Sequence, residues 1–186
     1  MNSLGRIGNR SASLPLSADD VLEFHAARLL LLFSLCGVSG RIDGLTKLAK
    51  LDFFARYPEF FDVAARKLDA TDTQISPQES EPVEAAMVRH HYGPWDKRYY
   101  HVLAHLESRG LITVSKHGRT YRLILTDLGK QRAKTLTKAK SFAPLVDRMR
   151  QIKKVFGAKS GTFLKNHIYA VFEDEVGKQK LGRMIE

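Results

Sequence analysis

Only one cysteine occurs among the 186 residues, beside one tryptophan and six prolines. One thiol cannot close an internal disulfide, so the fold has to rest on an apolar core. Cys36 ends the run Leu29-Leu-Leu-Leu-Phe-Ser-Leu-Cys36, a setting that predicts a buried, reduced thiol and a cytoplasmic protein. Long apolar stretches are scarce as well. Arg28 and His25 interrupt that run upstream and Gly37 ends it, which leaves it short of the roughly 20 apolar residues of a membrane span. No membrane partner is expected. Residues 1–17 hold Arg6, Arg10 and several serines without a secretory core, and read as a flexible tail.

Signatures of catalysis are missing too. The chain has no Gly-x-Ser-x-Gly, no carboxylates at nuclease spacing and no Cys/His pair in a suitable context. Gly157-Ala-Lys-Ser160 lacks the upstream glycine and preceding strand of a phosphate-binding loop. His101 and His105 stand one helical turn apart, yet neither the intervening Glu of a metalloprotease nor a further ligand accompanies them. Neither an enzyme, a metal nor a cofactor is expected.

What the chain does have is positive charge, and it is unevenly placed. The formal net charge is +10. Residues 1–93 hold ten Lys/Arg against twelve Asp/Glu, and residues 94–186 hold twenty against eight. Segregation of this size is what an electrostatic footprint for phosphate looks like, and a solvated basic surface with no partner is the other reading of it.

Apolar spacing divides the chain. Ser17 followed by two aspartates is a helix start, and Leu22, Ala26, Leu29, Leu30 and Phe33 carry a buried helix from Ala18 to Cys36. Asp43 is placed to cap a helix from Gly44 to Tyr57, and Pro58 starts a third through Leu68. The aromatics Phe53, Phe54, Phe60 and Phe61 suit a core or a subunit interface. Residues 69–84 hold five carboxylates, two prolines and no Lys or Arg, the composition of an acidic surface loop. A role for that loop in covering the basic half is one reading of it; a solvated connector is the other.

Residues 85–140 follow a recognisable order. Pro94 opens a helix whose inward stripe is Trp95, Tyr99, Val102, Leu103 and Leu106, and Gly110 ends it. This is the candidate recognition helix. Leu111–Ser115 and Thr120–Leu125 are rich in β-branched and aromatic residues and enclose Lys116-His-Gly-Arg119, predicting a β-hairpin with a basic tip. Thr126 then caps a helix that starts Asp127-Leu-Gly-Lys130. The fold class expected is mainly α with a small β-hairpin: a winged helix-turn-helix at 85–140, flanked by helical parts at 18–68 and 141–186. Lys97, Arg98, His101, Lys116, His117, Arg119 and Arg122 are the candidate contacts to a double-stranded DNA backbone, because cations on a helix face and a wing tip neutralise phosphates without reading sequence.

In the C-terminal part, Phe142, Leu145, Val146, Met149, Ile152 and Phe156 form one helical stripe, and Leu164, Ile168, Val171 and Phe172 form another. Left exposed, such stripes are costly. They pack on the rest of the chain or meet a partner, which makes Phe142, Met149, Phe156 and Phe163 candidate interface residues. Lys153 and Lys154, with Arg148 and Arg150, lie off the first stripe and extend the basic surface.

Four segments carry a family resemblance: Arg28-Leu-Leu-Leu-Leu-Phe33, Leu45-Thr-Lys-Leu-Ala-Lys-Leu-Asp-Phe-Phe54, His91-Tyr-Gly-Pro94 and Leu106-Glu-Ser-Arg-Gly-Leu-Ile112. Over about residues 25–136 the chain resembles the winged-helix middle components of bacterial ABC-three-component systems, including Lamassu-type anti-phage defence systems. The resemblance implies a non-catalytic subunit beside an SMC-like ATPase and an effector, often a nuclease, that helps couple DNA sensing to effector release. A transcriptional regulator or antitoxin-like protein, dimeric across a palindrome, is the alternative. Helix 94–109 offers it no Asn or Gln for adenine, leaving Arg98 to read guanine.

Overall fold

The computed structural model describes residues 21–68, 70, 88–90 and 93–173. The expected tail, the Ser17 cap, residues 71–84 of the acidic loop and residues 174–186 lie outside them. Among the described residues the architecture is mainly helical, with seven helices around a small antiparallel sheet and a separate two-stranded ribbon.

Helix α1, Leu22–Cys36, starts later than its apolar pattern suggested, because Val21 is extended at φ −102° and ψ 106°. Its leucines leave almost no polar face, and Leu29, Leu31, Leu32 and Phe33 are completely buried. The Cys36 thiol donates to the Met149 carbonyl oxygen at 3.3 Å. Burial pushes its pKa up to about 12, so it stays a thiol. Beyond Gly37 the chain forms β1, Arg41–Asp43, a strand the sequence reading did not anticipate. Only Ile42 of its three residues points inward, too short a pattern to register as alternation. Asp43 therefore lies in a strand, and Gly44, at φ +91°, precedes helix α2, Leu45–Arg56, without a side-chain cap. Pro58 opens α3, Pro58–Arg66, in the position expected of it.

Pro94 does not open a helix. It lies in β3, Gly93–Trp95, paired with β2, Val88–His90. The helix that follows, α4, spans Tyr99–Ser108. Asp96 sets this start, because its carboxylate accepts from the Arg98 amide at 2.9 Å and its carbonyl oxygen from the Tyr99 amide at 3.2 Å. An aspartate that captures the next amides supplies the turn that the proline was expected to supply.

The hairpin forms as expected, from β4, Ile112–His117, and β5, Thr120–Leu125, joined by Gly118 and Arg119 with Gly118 at φ +60°. Strand order is β1-β5-β4. Arg41 pairs with Ile124 and Asp43 with Arg122. β1, from the N-terminal helical part, thus shares one sheet with β4 and β5, and the buried residues of both parts form one core cluster. Thr126 caps α5, Asp127–Leu136, accepting from the Gly129 amide at 3.0 Å while its hydroxyl donates to the Gly110 carbonyl oxygen at 2.7 Å. A 3-10 turn at Lys140–Phe142 leads to α6, Ala143–Phe156, and Ser160 caps α7, Gly161–Val171.

Both C-terminal helices fold back onto the chain itself. α6 packs on α1 and α2, and α7 on α2 and α3. Phe53, Phe54, Phe61, Met149 and Phe156 are consequently completely buried, with the Phe156 ring stacked 4.6 Å from that of Phe54. A side chain without surface cannot meet a partner, so these five candidate interface residues belong to the core. Phe60, Phe142 and Phe163 are partly buried, beside Phe172, Phe24 and His167 respectively. Among the described residues no helix is long and apolar enough to cross a membrane.

Two consequences can be measured. A Cβ on Gly129 would fall 1.9 Å from the Leu111 carbonyl oxygen. Gly129→Ala should therefore destabilise the protein in urea, although alanine is the better helix former by about 1 kcal/mol; a stabilised variant would contradict this packing. Lys50 on α2 has no exposure and donates to the Pro94 carbonyl oxygen at 2.8 Å. Burial, with a smaller effect of the Lys165 charge, lowers its pKa to about 7. Between that value and the ordinary lysine value near 10.4 the unfolded chain binds the extra proton, so stability should rise with pH by up to about 1.4 kcal/mol per unit and be flat below the window. Urea unfolding from pH 7 to 9 should show this slope in the native chain and its loss in Lys50→Met.

Candidate nucleic-acid interface

A polar network is buried between α1, α2 and α4. Asp52 has no exposure; its carboxylate accepts from Arg28 Nε at 2.8 Å and Nη2 at 3.2 Å, and from the Tyr99 hydroxyl at 2.7 Å. Burial, and then the Asp52 charge, raise the Tyr99 pKa well above its ordinary value, so the phenol remains a donor. One turn further along α2, Arg56 Nη1 donates to Asp96 at 2.9 Å, and Arg98 grips the same carboxylate with Nη2 at 2.7 Å. Burial alone would raise the Asp96 pKa. The Arg98 hydrogen bonds and the two guanidinium charges outweigh it and hold the group below its usual range.

His25 bridges the two halves of this network, with Nδ1 2.9 Å from Arg28 Nη1 and Nε2 2.9 Å from Arg98 Nη1. A guanidinium only donates, and a neutral imidazole accepts at one nitrogen. At each contact the guanidinium is the donor, and which ring nitrogen accepts depends on the tautomer.

The hairpin packs against α4 through β4 and against α1 through β5. Lys116, His117 and Arg119 are all exposed at its tip, and among the described residues no ion pair occupies them. The tip borders an open groove of about 320 Å³, walled by Leu45 and Thr46 of α2, by Trp95 and Tyr100, and by Arg119 and Tyr121. Lys97, two residues before α4, and His101 on its first turn are exposed at the same end of that helix as Tyr100.

Other candidate contacts are already engaged. Arg98 is bound to Asp96 and His25, so it is not free to read a base. Arg122 Nε lies 3.5 Å from Asp43, an ion pair without hydrogen-bond alignment. Lys153 donates to the Cys36 and Gly37 carbonyl oxygens at 3.2 and 2.6 Å, which neutralises the negative end of α1. Arg148 is buried and donates to the Ala55 carbonyl oxygen at 2.8 Å. Lys154 remains exposed on α6. The outward face of α4 is Tyr100, His101, Ala104, Glu107 and Ser108, with the Glu107 carboxylate accepting from the Val114 amide at 2.9 Å.

The sequence reading passed over the Arg28, Asp52, Arg56 and Asp96 network and the exposed Tyr100 and Tyr121. Charged residues inside apolar stripes were the available signal for the network. The Tyr99-Tyr100 pair carried the other, since adjacent helical residues cannot both face inward. No three His, Cys, Asp or Glu side chains among the described residues stand close enough to share a metal ion. Compared with known proteins, the chain matches no family model, no curated protein and no solved structure.

Asp52→Ala leaves the Arg28 charge buried and should cost about 3–5 kcal/mol in urea unfolding. Arg28→Met combined with Asp52→Leu should recover much of that loss. If the single variant unfolds at the native midpoint, the pair does not fix α4.

Proposed function

We propose that the chain is a winged-helix subunit that touches the DNA backbone and performs no chemistry. The observation that carries this reading is the hairpin tip, where Lys116, His117 and Arg119 are exposed and, among the described residues, free of ion pairs while neighbouring cations are engaged. The order α1-β1-α2, then α4-β4-β5 with β1 paired to β5, supports a winged helix with α3 and the β2-β3 ribbon inserted before the recognition helix. Support for backbone contact over sequence reading comes from α4. Its exposed face carries a carboxylate and no Asn, Gln or free Arg, so the bidentate readers of bases are missing.

The remaining parts of the proposal rest on the resemblance to middle components of Lamassu-type systems: assembly in the cytoplasm with an SMC-like ATPase and a nuclease-type effector. A second copy of the chain is a further partner compatible with it. Because α6 and α7 fold onto the core, protein contact is here assigned to partly buried rings such as Phe60, Phe142 and Phe163 in place of the apolar stripes of those helices.

Duplex binding followed by fluorescence anisotropy across a salt series tests the backbone reading. Lys116→Glu with Arg119→Glu should weaken binding and flatten the logarithmic salt slope by about 0.9 for each phosphate the hairpin no longer neutralises. An unchanged slope would remove the hairpin from the interface. Affinity purification from the native host at moderate salt should recover a large ATPase with the chain, and its absence would count against the assembly.

A further inference from the structure

Tyr100 is 63% exposed and Tyr121 44% exposed. Both line the groove at the hairpin tip and the hollow that continues from it toward Leu103 and Leu123. The core needs neither ring: Leu103, Leu123 and Trp95 close it beneath them, and Tyr99 takes the inward position beside Tyr100. Among the described residues, no hydrogen bond engages either hydroxyl. Two aromatic faces on one groove are an apolar surface that a ligand would cover with gain.

The rim selects the ligand. Arg119 lines the groove at the tip, Lys116 is the cross-strand partner of Tyr121, and Lys97 lies exposed two residues before α4. Glu107, the carboxylate in the hollow, lies farther down the hairpin and is turned to the Val114 amide. Cations beside exposed aromatic rings suit a polyanion that carries flat apolar faces. An intact duplex keeps its base faces inside the stack and would leave the tyrosines idle, whereas an unpaired strand presents them.

We propose that this groove holds unpaired nucleotides, their bases stacked on Tyr100 and Tyr121 and their phosphates along Lys116 and Arg119. The proposal rests on the nucleic-acid reading above and sharpens it: the groove's ligand is a single-stranded segment, as at a frayed end or a gap, and the duplex touches the hairpin through phosphates alone.

The test compares the full chain's affinity, by anisotropy at one fixed salt, for a thymidine strand of about 12 nucleotides, an abasic strand of the same charge and a duplex of equal length. The thymidine strand should bind roughly tenfold or more tighter than the abasic one, since stacking contributes base by base. Tyr100→Ala and Tyr121→Ala should each lose roughly fivefold or more on thymidine, with little change on the abasic strand. Phenylalanine at either position should retain the native preference. Trp95, the one tryptophan of the chain, has its ring 6.0 Å from Tyr100, so its emission should change with thymidine and not with the abasic strand.

Equal affinity for thymidine and abasic strands, or alanine variants that bind thymidine as the native chain does, would overturn the groove proposal. If Lys116→Glu with Arg119→Glu still weakens the duplex in that case, the backbone reading stands alone. Failure of all three ligands to bind would sink both. A polyglutamate peptide that binds as tightly as thymidine and is lost on the same tyrosine substitutions would reassign the groove to an acidic protein segment and overturn the nucleotide proposal.

Discussion

The buried carboxylate of Asp52 is the constraint on which the remaining arrangement depends. It has no exposure to water, so its charge must be balanced inside the protein, and Arg28 from α1 and Tyr99 from α4 do so with well-formed hydrogen bonds. Removing one partner from such a pair is far costlier than never having built it, because the remaining charge cannot reach solvent. The three helices are therefore committed to one mutual register. That register decides where α4 begins and which of its residues face outward, and with them the wall of the groove beside the hairpin.

A second layer, Arg56, Asp96, Arg98 and His25, extends the same constraint to the turn before α4. Asp96 is held ionised by two guanidiniums and by backbone hydrogen bonding, and the same carboxylate nucleates the helix. Position and electrostatics are coupled here. Arg98, which the sequence suggested as a guanine reader, is a structural clamp.

The basic C-terminal half divides the same way. Lys153 closes the C-terminal end of α1 and Arg148 reaches the last turn of α2, while from the N-terminal half Lys47 donates to the Gly157 carbonyl oxygen at the end of α6. Helix ends carry unsatisfied carbonyl groups and partial negative charge, which attract cations when no backbone cap is formed. Part of the positive charge thus serves helix ends, and the rest stays exposed at the hairpin tip, at Lys97, along α5 at Arg132 and Lys134, and at Lys154.

Hydrophobic periodicity and turn chemistry were sufficient to place α1 to α3, the β4-β5 hairpin with its glycine turn, the Thr126 cap and the two C-terminal helices within a few residues, because these are local preferences written in consecutive side chains. They also identified the exposed tip cations, since a polar hairpin tip has nowhere to go but solvent. The strand β1 and the start of α4 were not legible. A three-residue strand exists only because β5 lies beside it, and Pro94 joins a ribbon only because a second strand pairs with it. Which apolar stripes face inward within the chain, and which arginines and lysines are spent on buried carboxylates and helix ends, was decided by tertiary packing: solvation is a property of the finished surface, and no local pattern states which neighbours will remove a charge or a ring from water.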